Sequence, residues 1–130
     1  MKIFKYLVLF FTLFITTIST AGTLVINSNQ SGEAAKAGFD AYVEAFRAAH
    51  PEVTVVVNEF EHEAYKTAIR NFLTAEAPDI VTWFAGNRMK FFVDQGLFTD
   101  VSDVWADAGL NDSMASSKGA ATVDGKQYGV

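Results

Sequence analysis

Cysteine is missing from this 130-residue chain. No disulfide can form, and a lipid anchor attached through a cysteine at the mature terminus is excluded as well. Histidine is scarce: only His50 and His62 occur. His62-Glu63 opens like the zinc motif H-E-x-x-H, but the fifth position is Lys66, so the second ligand is lacking. Asp100, Asp103 and Asp107 have neither the spacing nor the glycine of a calcium loop. No metal site and no cofactor are expected. Proline stands only at Pro51 and Pro78, and no low-complexity linker divides the chain. Nucleotide-binding frames are also wanting. The glycines of "SGEAAKAG", Gly32 and Gly38, are six apart, which fits neither G-x-G-x-x-G nor G-x-x-x-x-G-K-[ST]. No serine sits in G-x-S-x-G. Basic residues number 10 against 15 acidic ones, and that balance argues against nucleic acid or an anionic membrane as partner.

What is present begins with an export signal. Lys2 and Lys5 precede an apolar run from Tyr6 to Ile18, broken only by Thr12, Thr16 and Thr17. Ser19-Thr20-Ala21 follows, with small residues at the −3 and −1 positions. This reads as a signal peptide over residues 1–21, cut between Ala21 and Gly22. The run is shorter than the roughly 20 apolar residues of a spanning helix. The mature chain, 22–130, keeps 8 basic against 15 acidic residues, a balance of −7. It is expected in the periplasm.

Half of the chain is hydrophobic, enough for one domain with a real core. Thr23–Asn27 reads as a buried strand. A helix from about Gly32 to Ala49 carries Phe39, Tyr42, Val43, Phe46 and Ala49 on one stripe. Pro51 marks its stop. Val53–Asn58 is a second strand, rich in β-branched residues. Glu63–Thr74 is a second helix with Tyr65, Ala68, Ile69, Phe72 and Leu73 on one face. Ile80–Phe84 is a third strand, and a short helix after it ends at Gly96. Residues 100–105 suggest a short amphipathic turn or helix, and Asp124-Gly125 signals a hairpin. The order β-α-β-α-β-α predicts an α/β fold: a parallel, doubly wound sheet with flanking helices. The chain stops at Val130 inside an apparent strand, and a fragment of a longer protein is expected.

In such sheets, ligands bind beyond the carboxyl ends of the strands, where strand order reverses. With the first strand central, the loops after strands one and three converge. They offer Asn29, Gln30, Ser31 and Glu33 on one side, and Trp83, Phe84, Asn87 and Arg88 on the other. Glu33, at a helix start, opposes an anion there, so amides, hydroxyls and a carboxylate point to a neutral ligand rich in hydroxyls. Trp83 has a flat face for a sugar ring. Each residue also has a plainer role. Asn29 or Ser31 can cap the first helix and Asn87 the third. Trp83 and Phe84 can be core aromatics, and Arg88 can pair with a surface acid. His62, just past strand two, is either a surface histidine or a cleft residue.

The chain from Gly22 to Val130 resembles bacterial extracellular solute-binding proteins of ABC transporters, in the group that mostly takes up carbohydrates. The marks are "SGEAAKAGFDAYVEAFRAAHPEVTV", "AYKTAIRNFL", "APDIV", "FFVDQGLFTDVSDVW" and "DGKQYGV", in that order. The resemblance implies the N-terminal lobe, incomplete here, of a two-lobe, periplasmic-binding-protein-like (type II) fold. It implies a sugar held between hinged lobes, closure on the ligand and docking on an ABC permease, with a monomeric protein and no catalysis. Contacts carry onto Asn29, Gln30 and Glu33 in the loop after strand one, and onto Trp83 and Asn87 after strand three. Two other readings stand beside it. One is a secreted α/β hydrolase or transferase whose catalytic residues lie elsewhere. The other is a binding protein for a sulfate or phosphoester, a polyamine or an iron complex.

Overall fold

The computed structural model describes residues 22–130, so the leader expected over residues 1–21 lies outside the described residues. Strand β1 (Thr23–Ser28) is the centre of a three-stranded parallel sheet. β2 (Thr54–Glu59) lies on one side and β3 (Ile80–Val81) on the other. Thr23 to Ser28 pair in register with Thr54 to Glu59, and Ile26-Asn27 with Ile80-Val81. Strand order therefore reverses at β1, the arrangement under which the loops after strands one and three converge.

β3 is shorter than the predicted Ile80–Phe84. β1 ends at Ser28, so no ladder remains for Trp83 and Phe84 after Thr82 donates its N–H to the Asn27 carbonyl (3.0 Å). Both aromatic rings turn instead toward helices.

Helix α1 (Glu33–Ala49) covers one face of the sheet. Val43 packs there with Ile26 and Val55, and Leu24, Phe39, Val53 and Val57 close around them. The other face holds α2 (His62–Thr74) and α3 (Asn87–Val93). Tyr65, Ile69, Leu73 and Phe92 are buried there, ringed by Phe60, Phe72, Val81, Trp83, Leu97 and Phe98. The α2 stripe faces inward as its spacing predicts, with Tyr65, Ile69 and Leu73 buried and Ala68 and Phe72 partly so. The α1 stripe does so only in part: Tyr42 is 79% exposed and Phe46 37%. α3 ends as Gly96 predicts. Gly96 takes φ +69°, and the Leu97 and Gly96 N–H groups close on the Phe92 and Val93 carbonyls at 3.0 and 2.9 Å.

The last thirty residues form short elements. They are α4 (Ser102–Asp107), α5 (Leu110–Ser113), a 3₁₀ turn (Lys118–Ala121) and a hairpin of β4 (Thr122–Val123) and β5 (Lys126–Gln127). Asp124 and Gly125 both have positive φ, the signature of the predicted tight turn. The hairpin is tied to α4 by the Val101 N–H on the Gln127 carbonyl (2.8 Å). Trp105 is fully buried and donates its indole N–H to the Gly129 carbonyl (2.8 Å). Gly86 donates to the Ala120 carbonyl (2.8 Å), which fixes the loop after β3 against this unit. No helix among the described residues is long and apolar enough to cross a membrane.

Candidate functional site

The carboxyl end of β1 is polar, and it is buried. Asn27, Ser28 and Asn29 follow the apolar Leu24-Val25-Ile26, and each is less than a tenth exposed. Buried polar groups without partners are costly, so the neighbouring loops have to satisfy them. They do so on both sides. The Asn27 side-chain oxygen accepts from the Asn58 amide (2.9 Å), and its carbonyl accepts from the Tyr65 hydroxyl (3.0 Å). Burial pushes the Tyr65 phenol up to about 12, so it stays protonated and serves as a donor. Ser28 Oγ accepts from the Gln30 N–H (3.2 Å), and the Ser28 carbonyl from the Phe60 N–H (2.9 Å).

Asn29 joins the ends of all three strands. Its backbone N–H donates to Thr82 Oγ1 (2.9 Å), and the Thr82 hydroxyl donates back to Asn29 Oδ1 (2.7 Å). Its amide nitrogen lies 3.5 Å from Nδ1 of His62, the first residue of α2. Beyond this network stand rings. Phe84 meets the His62 imidazole edge-on, with centroids 5.7 Å apart, and the Arg88 guanidinium lies 4.4 Å from the Phe84 centroid.

The loops after strands one and three thus meet at the strand-order reversal. Among the predicted residues, Asn29, Phe84 and Arg88 come together there. Gln30 is half-buried, while Ser31 and Glu33 are exposed. Their side chains have no hydrogen-bond or ionic partner among the described residues. Neither Asn29 nor Ser31 caps α1; Gly32 holds that position and no side chain closes it. Asn87 does not cap α3 either, because Gly86 precedes it with φ +72° and Asn87 is the first helical residue. Arg88 has no acidic partner among the described residues. Trp83 faces inward. Its ring packs on Tyr65, Phe92 and Phe84, and its N–H donates to the Arg88 carbonyl (3.2 Å). It shares a groove of about 500 Å³ between α2 and α3 with Asn87, Arg88, Arg70 and Phe91. A second cavity, about 580 Å³, lies between the sheet and the C-terminal end of α2, lined by Asn27, Asn58, Phe60, Phe72 and Asp79. It holds none of the predicted site residues.

Two residues of the cluster escape a reading by motif: Thr82, inside an apolar run, and His62, whose neighbours in sequence are charged surface residues. The available signal is positional. In a parallel sheet, the residues just past each strand share one edge. No three acidic or histidine side chains among the described residues are grouped to hold a metal ion. The cluster supplies amides, a hydroxyl, an imidazole, aromatic faces and one guanidinium. Such a set is chemically able to hold a polar ligand through hydrogen bonds and ring contact.

The model of the bacterial extracellular solute-binding protein family matches residues 29–129. No match was found among curated proteins. Among solved structures, the bacterial solute receptor AcbH is 35% identical with a TM-score of 0.70; the match covers 82% of this chain and 27% of that one. It is described as having an exclusive preference for β-D-galactopyranose. A protein from the xylan-utilisation system of Caldanaerobius polysaccharolyticus is 32% identical with a TM-score of 0.66, covering 83% and 28%. A sugar transporter protein from Rhizobium etli in an open conformation, 24% identical with a TM-score of 0.65 and covering 81% and 27%, shares the fold. The chain therefore spans little more than a quarter of the length of these structures.

Proposed function

The chain belongs to the bacterial extracellular solute-binding proteins, and on that premise we propose that it supplies one wall of a sugar-binding crevice in the receptor component of an ABC transporter. The wall is the carboxyl edge of the sheet, built from Asn29, Gln30, Ser31, Glu33, Phe84, Asn87 and Arg88, with Trp83 supporting it from behind. The observation that carries the reading is the Asn29–Thr82–His62 network at the strand-order reversal. It is a half-buried polar base beneath loops whose side chains are free. A sugar hydroxyl both donates and accepts, and amide and imidazole groups answer both needs. The guanidinium beside the network, Arg88, is already laid on an aromatic ring and is a poor match for a multiply charged phosphoester. The galactopyranose preference of one structure above 30% identity and the xylan-utilisation setting of the other support the same class.

The solute is bound and released unchanged, with lobe closure presenting it to a membrane permease. The receptor acts as a monomer in the periplasm, after cleavage between Ala21 and Gly22. Calorimetry of the protein that carries this chain, titrated with neutral sugars, amines and phosphoesters, tests the proposal. Saturable binding of a neutral sugar, recovered intact, is the expected result. Binding only of an amine or phosphoester would refute the sugar assignment, and conversion of the sugar would favour a hydrolase or transferase.

A further inference from the structure

The two hydrogen bonds between Asn29 and Thr82 settle more than the position of a loop. Thr82 Oγ1 already accepts the Asn29 backbone N–H at 2.9 Å. Its own proton must go elsewhere, and Asn29 Oδ1 stands 2.7 Å away, the usual length for an O–H···O bond. The Asn29 amide is thereby oriented, with its oxygen toward Thr82 and its NH₂ toward His62. An NH₂ group facing Nδ1 at 3.5 Å, a long contact, is met best by an acceptor there. A neutral imidazole that accepts at Nδ1 carries its proton on Nε2. Nε2 has no partner among the described residues, and no buried side-chain nitrogen or oxygen among them lacks one. Nε2–H is therefore open to solvent. The ring is also held edge-on against Phe84.

We propose that Thr82 and Asn29 hold His62 in its Nε2–H tautomer, and that this N–H is a fixed donor to a hydroxyl or ring oxygen of the bound solute. His62 becomes a binding residue, with Thr82 and Asn29 as positioning residues behind it. The contact to solute rests on the sugar-binding reading above; the tautomer does not. A donor fixed before binding discriminates by direction: a sugar oxygen in its line is held, and one displaced to the other face of the ring is not.

Long-range proton–nitrogen NMR spectra of the imidazole test the first half without any ligand, the His62 signal being assigned by its loss in His62→Gln. The free protein should show Nε2 protonated and Nδ1 bare at neutral pH. Thr82→Val removes the hydroxyl proton and should give a mixture of tautomers, and Thr82→Ser should restore the single form. A wild-type protein with Nδ1 protonated, or with a mixture unchanged in Thr82→Val, overturns the hold. For the second half, sugar binding should shift Nε2 more than Nδ1. His62→Leu should weaken binding about three- to tenfold, the loss of one hydrogen bond, and His62→Gln, which keeps an N–H donor, should weaken it less. Equal affinity in all three overturns the contact. A wild-type protein with the tautomer in place that binds no sugar overturns the proposed function and the contact with it, while supporting the hold.

Discussion

α1 runs for 17 residues and buries one of them, Val43; α2 runs for 13 and buries Tyr65, Ile69 and Leu73. Both helices carry a full apolar stripe, and both pack on the same small sheet. They differ in what else meets that stripe. α2 shares its side with α3 and with Phe60, Trp83 and Phe98, so its inward residues are enclosed on several sides. Among the described residues, α1 packs on the sheet face of Leu24, Ile26, Val55 and Val57, and Tyr42 and Phe46 stay exposed. Their starts differ as well. The Glu61 carboxylate accepts the Ala64 N–H (2.9 Å) and caps α2, while Gly32 leaves α1 without a side-chain cap. An apolar stripe states what a helix is able to bury; the neighbours decide what it does bury. In this protein the well-packed side carries the frame of the site, and the lighter side carries the loop with free side chains.

This contrast can be broken at several points. Ile69→Ala should destabilise by about 2–5 kcal/mol, as for a large-to-small change in an enclosed core. Val43→Ala, at a shallower place, should cost about 1–2 kcal/mol for the two methyl groups removed. Tyr42→Ser should stay within about 0.5 kcal/mol. Denaturant unfolding gives all three values, and a Val43 effect as large as that of Ile69 would refute the asymmetry.

The helix starts sharpen it further. Bonds to the Ala64 and Glu63 N–H groups hold the Glu61 carboxyl below its usual range. The stability it contributes is therefore present above the ordinary carboxylate pKa and is lost as pH falls through the depressed folded value. Glu61→Ala should lower the Tm at pH 7 and leave it nearly unchanged in strong acid. An equal drop at both would deny the charged cap. The smallest change is Gly32→Ser, at an extended residue where an added Cβ meets nothing within 4 Å. It supplies the missing cap and should raise stability by a few tenths of a kcal/mol.

Much of this was legible from residue pattern. "TLVIN" and "VTVVVN" are runs of apolar and β-branched residues, so the parallel strands follow from composition and order, while the central place of β1 is a supposition that the strand pairing bears out. Asp124-Gly125 and Gly96 announce their own turns, because positive φ selects those residues. The exposure of Tyr42 and Phe46 does not follow from the α1 stripe, because spacing does not reveal how wide the sheet beneath it is. The end of β3 was misread because the length of a strand depends on its partner, and β1 stops at Ser28. The candidate site reads in the sequence as two loops, not as a network. Asn29 reads as a contact or a helix cap, Thr82 as a strand residue and His62 as either a surface or a cleft residue. Only the pairing of three strands brings the three within reach of one another.

The central claim is that solute is held at the carboxyl edge of the sheet, on the loops after β1 and β3. Amide hydrogen exchange on the protein that carries this chain, with and without a neutral sugar that binds it, tests this most directly. Binding should slow exchange at residues 29–33, at the start of α2 and at residues 82–88, and leave residues 39–49 of α1 unchanged. Slowed exchange confined to α1, or to the lining of the cavity around residues 71–79, would contradict the claim.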